Sequence, residues 1–217
     1  MSSPPRTVFI LDDDDDVRLA LTRLLRARGY DTRAFSSAES FLGASETDTP
    51  GCLLLDIAMP GLSGLELQQA LASSMCDRPI VFLTANADVH TGVHAMKAGA
   101  VDFLTKPVDE VSLVAALEGA LRVDSLERSE RASHCAAQRR AAALTPRERE
   151  VLERVVRGRL NKQIAAELGT GEKTVKVHRA RMMSKMGVRS VAELVVLAAR
   201  MSGARRPAAA NSPSPTW

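Results

Sequence analysis

Cysteine is scarce in this chain: Cys52, Cys76 and Cys135 are the only three. An odd, scattered set excludes a disulfide framework and a zinc knuckle, and a reducing compartment is the simpler home. Nowhere is there a run of about 18 apolar residues, which excludes a hydrophobic membrane-spanning helix. The opening Met1-Ser2-Ser3-Pro4-Pro5-Arg6 has none of the apolar core that a secretory signal needs. These absences predict a soluble protein of the cytoplasm with no membrane partner.

What is present is a chain of 217 residues with 45% apolar content, suited to one large domain or two small ones. Charge divides it. Residues 1–122 hold 10 Lys+Arg against 17 Asp+Glu, and residues 123–217 hold 19 against 9. An acidic half is thus followed by a basic half, and the basic half is a candidate binder of a polyanion.

The acidic half alternates two patterns. Thr7–Leu11, Cys52–Leu55 and Ile80–Thr84 are continuous apolar runs of the kind found in strands buried on both faces. Asp31–Phe35 is a weaker strand, and Val101–Leu104 a short fifth one. Between them lie helical segments. One follows the aspartate run and stops at Gly29; one opens on a capping box at Ser36-Ser37-Ala38-Glu39 and runs to Leu42; one opens on Ser63-Gly64-Leu65-Glu66. A fourth covers Val89–Ala98 and a fifth runs from about Asp109 to Arg122. Five strands alternating with five helices predict an α/β doubly wound, five-stranded parallel sheet over residues 6–122.

In such sheets the functional crevice lies at the carboxyl ends of the strands. Those ends supply Asp12 and Asp13, Asp56, Thr84 and Lys106. Three carboxylates in one crevice repel each other and become tolerable around a hard divalent cation with oxygen ligands, most plausibly Mg²⁺. A hydroxyl and a lysine opposite complete a site for a tetrahedral dianion, with Asp56 as a carboxylate nucleophile for a phosphoryl group. His90 and His94, four apart on a helix, have no third ligand nearby and read as surface residues.

Residues 7 to about 122 resemble a response-regulator receiver domain, of the flavodoxin-like fold. The resemblance is carried by Leu11-Asp12-Asp13-Asp14, by Leu55-Asp56-Ile57-Ala58-Met59-Pro60-Gly61, by Thr84-Ala85 and by Ala95 through Pro107. It implies that Asp56 takes phosphate from a sensor histidine kinase and that Asp12, Asp13, Asp56 and the backbone carbonyl of Ala58 hold Mg²⁺. Thr84 and Lys106 would contact the phosphoryl oxygens. Phe103, where relatives often carry tyrosine, would be the aromatic switch coupled to Thr84. The resemblance also implies a cis Lys106-Pro107 bond.

Residues 123–143 are rich in Ala and Arg, hold neither Gly nor Pro, and have little to bury. They predict a helical extension that becomes a mobile joint. In the basic half Thr145-Pro146-Arg147-Glu148 is a complete helix start, with Val151, Leu152, Val155 and Val156 as its buried stripe. Asn161 opens a short helix with Ile164, Ala165 and Leu168 inward, and Gly169-Thr170-Gly171 turns the chain into Glu172–Met186. Two helices about a glycine turn are a helix-turn-helix. Val175, Met182 and Met186 should face the core. Lys173, Lys176, Val177 and Ala180 lie on other faces, with Lys176 and Val177 suited to base edges, and Thr174, Arg179, Arg181 and Lys185 to phosphates. A fourth helix capped by Ser190 offers a dimer face.

Residues 144–200 resemble the LuxR/NarL-type DNA-binding domain, and the domain order resembles FixJ-type response regulators. The residues are Leu144 through Leu152, Asn161-Lys162-Gln163-Ile164-Ala165, Thr174-Val175-Lys176-Val177-His178-Arg179 and Lys185-Met186. Gly171 departs from the Ser or Thr that often caps the recognition helix in this family, a loss of a few tenths of a kcal/mol. Residues 201–217, rich in Ala, Pro and Ser, predict a disordered tail. The expected function is a non-enzymatic, Mg²⁺-dependent regulator whose phosphorylation controls dimerisation and binding to double-stranded DNA. The sensor kinase is its upstream partner, and RNA polymerase is a further candidate. Two alternatives remain: a haloacid-dehalogenase-like phosphatase using the Asp-x-Asp spacing, and a DNA-binding regulator independent of phosphate.

Overall fold

The computed structural model describes residues 6–44, 46, 49–73, 78–85 and 88–201. Cys76 and residues 202–217 lie outside them; of the tail expected over 201–217, only Met201 is described, and it is the last residue of a helix and packs on a core. The chain divides into two compact units, Met1–Arg128 and Ser129–Trp217.

The first unit is built on β1 (Thr7–Leu11), β2 (Asp31–Phe35), β3 (Cys52–Asp56), β4 (Ile80–Thr84) and β5 (Asp102–Thr105). All pairings are parallel, in the order β2-β1-β3-β4-β5. Strand alternation sorts the apolar run into two cores. Val8, Ile10, Cys52, Leu54, Val81 and Leu83 pack with α1 (Asp15–Ala27) and the start of α5 (Glu110–Ala142). Phe9, Leu11, Leu53, Leu55, Ile80 and Phe82 pack on the other face with α2 (Ala38–Gly43), α3 (Gly64–Ser73) and α4 (Val89–Lys97). The three central strands are therefore buried on both faces, which is why they read as unbroken apolar runs rather than alternating ones. The doubly wound sheet expected from the sequence is the one observed.

Three boundaries differ from expectation. The cap of α2 is Ser37, not Ser36: Ser37 is extended, and its partner is Ser40 rather than Glu39. That one-residue shift is what brings Ala38 and Phe41 into the core. The fifth strand is Asp102–Thr105, one residue later than expected. The last helix of the acidic half does not stop near Arg122 but continues to Ala142, because nothing from Val123 onward breaks it. Residues 123–142 are thus helix, as the expected helical extension, and they continue α5 without a break.

The second unit contains the end of α5 with α6 (Pro146–Val156), α7 (Asn161–Leu168), α8 (Glu172–Met186) and α9 (Val191–Met201). Thr145 and Glu148 form the expected capping box. Gly169 takes a left-handed conformation, φ 62°, that lets α7 stop and the chain turn. Val151, Leu152, Val155, Ile164, Val175, Met182, Met186 and Leu194 form the core. Ala137 is buried and Ala141 packs on this core, so the end of α5 is part of the unit.

Candidate functional site

The strand register assembles the first site. Leu11 pairs with Leu55, so Asp12 and Asp56 stand side by side one position on. Asp56 pairs with Leu83 and Thr84 with Thr105, so Thr84 and Lys106 follow at the same edge of the sheet. Asp12, Asp56 and Thr84 are 2%, 6% and 3% exposed; Asp13 is exposed.

Lys106 Nζ donates to Asp12 Oδ2 at 2.6 Å and to Asp56 Oδ2 at 2.5 Å. The other oxygens are held by the chain: Asp14 N–H donates to Asp12 Oδ1 at 3.0 Å and Ala58 N–H to Asp56 Oδ1 at 3.1 Å. Burial pushes the Asp12 carboxyl above its ordinary range, opposed by its bonds with Lys106 and Asp14. Burial weakens the Lys106 ammonium too, but its bonds and charge pairing with Asp12 and Asp56 prevail, and its pKa lies above the usual lysine value. One carboxylate oxygen each of Asp12, Asp13 and Asp56 lies within 4.8 Å of the others. One ammonium cannot neutralise three carboxylates, and an all-oxygen donor set of this compactness suits a hard divalent cation.

Phe103 lies partly buried against the core, and its ring atoms sit 3.5–3.6 Å from where a Cβ on Gly92 would be. A side chain at Gly92 of α4 would thus meet this ring at ordinary van der Waals distance. Lys106-Pro107 is cis.

Two residues beside the site carried no sequence signal. Gly64 approaches β3 so closely that a Cβ there would stand 2.4 Å from the Asp56 carbonyl oxygen. Arg18 Nη1 donates to the Asp12 carbonyl at 2.6 Å and fastens the loop that presents Asp12 and Asp13. Asp14 instead caps α1, accepting from the N–H groups of Asp16 and Val17. One carboxylate of the aspartate run, Asp14, is thus engaged in helix capping.

The second site is the helix-turn-helix of α7 and α8. Val175, Met182 and Met186 are buried as expected, and Lys173, Thr174, Lys176, Val177, Ala180 and Arg181 are exposed. Gly171 caps α8 without a side-chain bond. Two of the expected phosphate contacts are engaged within the protein. Lys185 Nζ donates to Glu148 Oε2 at 2.7 Å and to the Ala143 carbonyl at 3.2 Å. Arg179 Nη1 donates to Asn161 Oδ1 at 2.8 Å. The Lys185 ammonium beside Glu148 holds that carboxyl below its ordinary range, with the Thr145 N–H adding to the effect.

Comparison with known proteins matches both units. Residues 8–118 match the response regulator receiver domain, and residues 142–198 match the bacterial regulatory proteins of the luxR family. The response regulator TodT of Pseudomonas putida is 42% identical over 93% of this chain and 88% of its own length. The transcriptional regulatory protein FixJ of Bradyrhizobium diazoefficiens is 40% identical over 89% of this chain and 94% of its own. Among solved structures, the response regulator StyR superposes with a TM-score of 0.82 at 45% identity, covering 90% of this chain and 99% of that one.

Proposed function

This chain belongs to the two-component response regulators that join a receiver domain to a LuxR-type DNA-binding domain, as FixJ does, and on that premise we propose that Asp56 is its phosphoryl acceptor. The observation that carries the proposal is the bridge from Lys106 to both Asp12 and Asp56. In the transfer, an Asp56 carboxylate oxygen attacks the phosphorus of a phosphohistidine on the sensor kinase. The P–N bond breaks, the imidazole leaves with its electron pair, and an acyl phosphate remains on Asp56.

The chain's own groups divide the work. Ala58 N–H steadies one Asp56 oxygen, which leaves the oxygen now facing Lys106 as the nucleophile. Once that oxygen carries the phosphoryl group, Lys106 has a phosphoryl oxygen to follow, and the Thr84 hydroxyl another. Mg²⁺ would be held by Asp12, Asp13, Asp56 and the Ala58 carbonyl, and it would supply charge neutralisation between the acceptor and the incoming phosphate. Phe103 against Gly92 of α4 is the element that would report Thr84's new position to the surface of α4 and β5.

The output is assigned to α8. Lys176 and Val177 would read base edges and Ala180 permits close approach, Thr174, Arg179 and Arg181 would hold phosphates, and Lys173 and Lys185 complete the basic surface, Lys185 while paired with Glu148. Modification would favour a homodimer on paired half-sites, in the cytoplasm, with RNA polymerase as the further partner. Acetyl phosphate with Mg²⁺ should place an acyl phosphate on Asp56 by mass mapping. An Asp56→Asn protein that is still phosphorylated would refute the assignment.

A further inference from the structure

Arg179 differs from the other basic residues of α8. Lys173, Lys176 and Arg181 are exposed, whereas Arg179 is half-buried and its Nη1 is fixed at 2.8 Å to Oδ1 of Asn161, the first residue of α7. That bond crosses the helix-turn-helix over 18 positions. It uses one of the five donors of a planar guanidinium and leaves the rest of the fork free to take a phosphate. It also fixes the Asn161 amide: with its oxygen turned to Arg179, its NH₂ group faces away and keeps both donors. Lys185, exposed like Lys173, Lys176 and Arg181, pairs with Glu148 instead.

We propose that Asn161 is a positioning residue for DNA binding, holding the Arg179 guanidinium in a single orientation for one backbone phosphate. This rests on the reading of α8 as the DNA-binding helix. A free arginine side chain must lose rotamer freedom to make such a contact; one already held by an amide loses less. Asn161 therefore acts through Arg179 and adds affinity without sequence preference.

The test is a salt titration of the full chain, treated with acetyl phosphate and Mg²⁺, on two duplexes: one of random sequence, and one selected from a random pool by the wild-type protein. Arg179→Ala should lower the salt-dependence slope by about 0.9, the equivalent of one phosphate. Asn161→Ala should weaken binding roughly fivefold to tenfold on both duplexes alike. In an Arg179→Ala or Arg179→Lys background the same change should cost less than about twofold, because neither residue offers the fork that Asn161 holds. Thermal unfolding of the free proteins separates positioning from bracing. Asn161→Ala with wild-type affinity and slope, or with its full cost undiminished beside Arg179→Ala, overturns the inference. Lys176→Ala is the control for the underlying reading. If it loses preference for the selected duplex while Asn161→Ala changes nothing, only the positioning role falls; if the wild type binds neither duplex, both fall.

Discussion

Lys106 and Asp56, fifty positions apart, meet at 2.5 Å at the end of the central strand, and the same ammonium reaches Asp12 at 2.6 Å. One cation thus holds the ends of β1, β3 and β5 together.

Replacing that cation should expose the cost of the carboxylates. Lys106→Met is expected to lower stability by about 1–2 kcal/mol at neutral pH without divalent cation, below the cost of a fully buried pair because Lys106 is partly solvated. Saturating Mg²⁺ should raise the urea midpoint of the variant more than that of the wild type. Equal shifts in the two proteins would contradict the view that the metal and the lysine neutralise the same charges.

Gly64 should tolerate no side chain. A Cβ placed 2.4 Å from the Asp56 carbonyl oxygen forces α3 or the end of β3 to move. Gly64→Ala is expected to cost about 1–3 kcal/mol in urea unfolding and to reduce the yield of acyl phosphate on Asp56. Gly43, with nothing within 4 Å of its added Cβ, is the control: Gly43→Ala should change phosphorylation little.

Lys185 should matter for stability rather than for DNA phosphates. Lys185→Met is expected to lower the melting temperature of the DNA-binding unit while leaving the salt slope of DNA binding within about 0.3 of wild type, where loss of a phosphate contact would remove about 0.9. Its partner gives a pH signature. Glu148 titrates below its ordinary 4.5 in the folded state. Its stabilisation is therefore present above pH 4.5 and is lost as pH falls through the folded value. Glu148→Gln should flatten that acid limb, as measured by melting temperature against pH.

Thiol labelling should separate two cysteines. Burial pushes the Cys52 thiol up to about 12, with the charge of Asp124 adding to the effect. Cys135 is exposed. Iodoacetamide at pH 8, followed by peptide mapping, should modify Cys135 in the folded protein and Cys52 only after denaturation.

Much of this arrangement was legible in the chain. Leu53-Leu54-Leu55-Asp56 states its place directly: buried on both faces, then a carboxylate where the sheet ends. Asp12, Thr84 and Lys106 follow by the same rule, since each lies just past an apolar run. The cap at Thr145 and the inward faces of Val175, Met182 and Met186 follow from helical spacing. Gly64 and Arg18 were not legible, because their roles depend on how closely two elements approach in space. The pairing of Lys185 with Glu148 was not legible either, because the two residues lie 37 positions apart. The helical extension past Arg122 was legible from its Ala- and Arg-rich composition, but the packing of its end was not, because its partner core around Met186 lies some 45 positions away, as the Arg140 bond to the Met186 carbonyl shows.

If Asp56 is the phosphoryl acceptor and α8 the DNA-binding helix, chemistry at Asp56 should govern DNA binding. The most direct test is the affinity for a selected duplex, measured by fluorescence anisotropy at fixed salt, of wild type and Asp56→Asn, each with and without acetyl phosphate and Mg²⁺. Wild type should tighten about tenfold or more on phosphorylation, while Asp56→Asn stays at the unphosphorylated value. Tight binding by both proteins, unchanged by acetyl phosphate while the wild type carries the acyl phosphate, would contradict it.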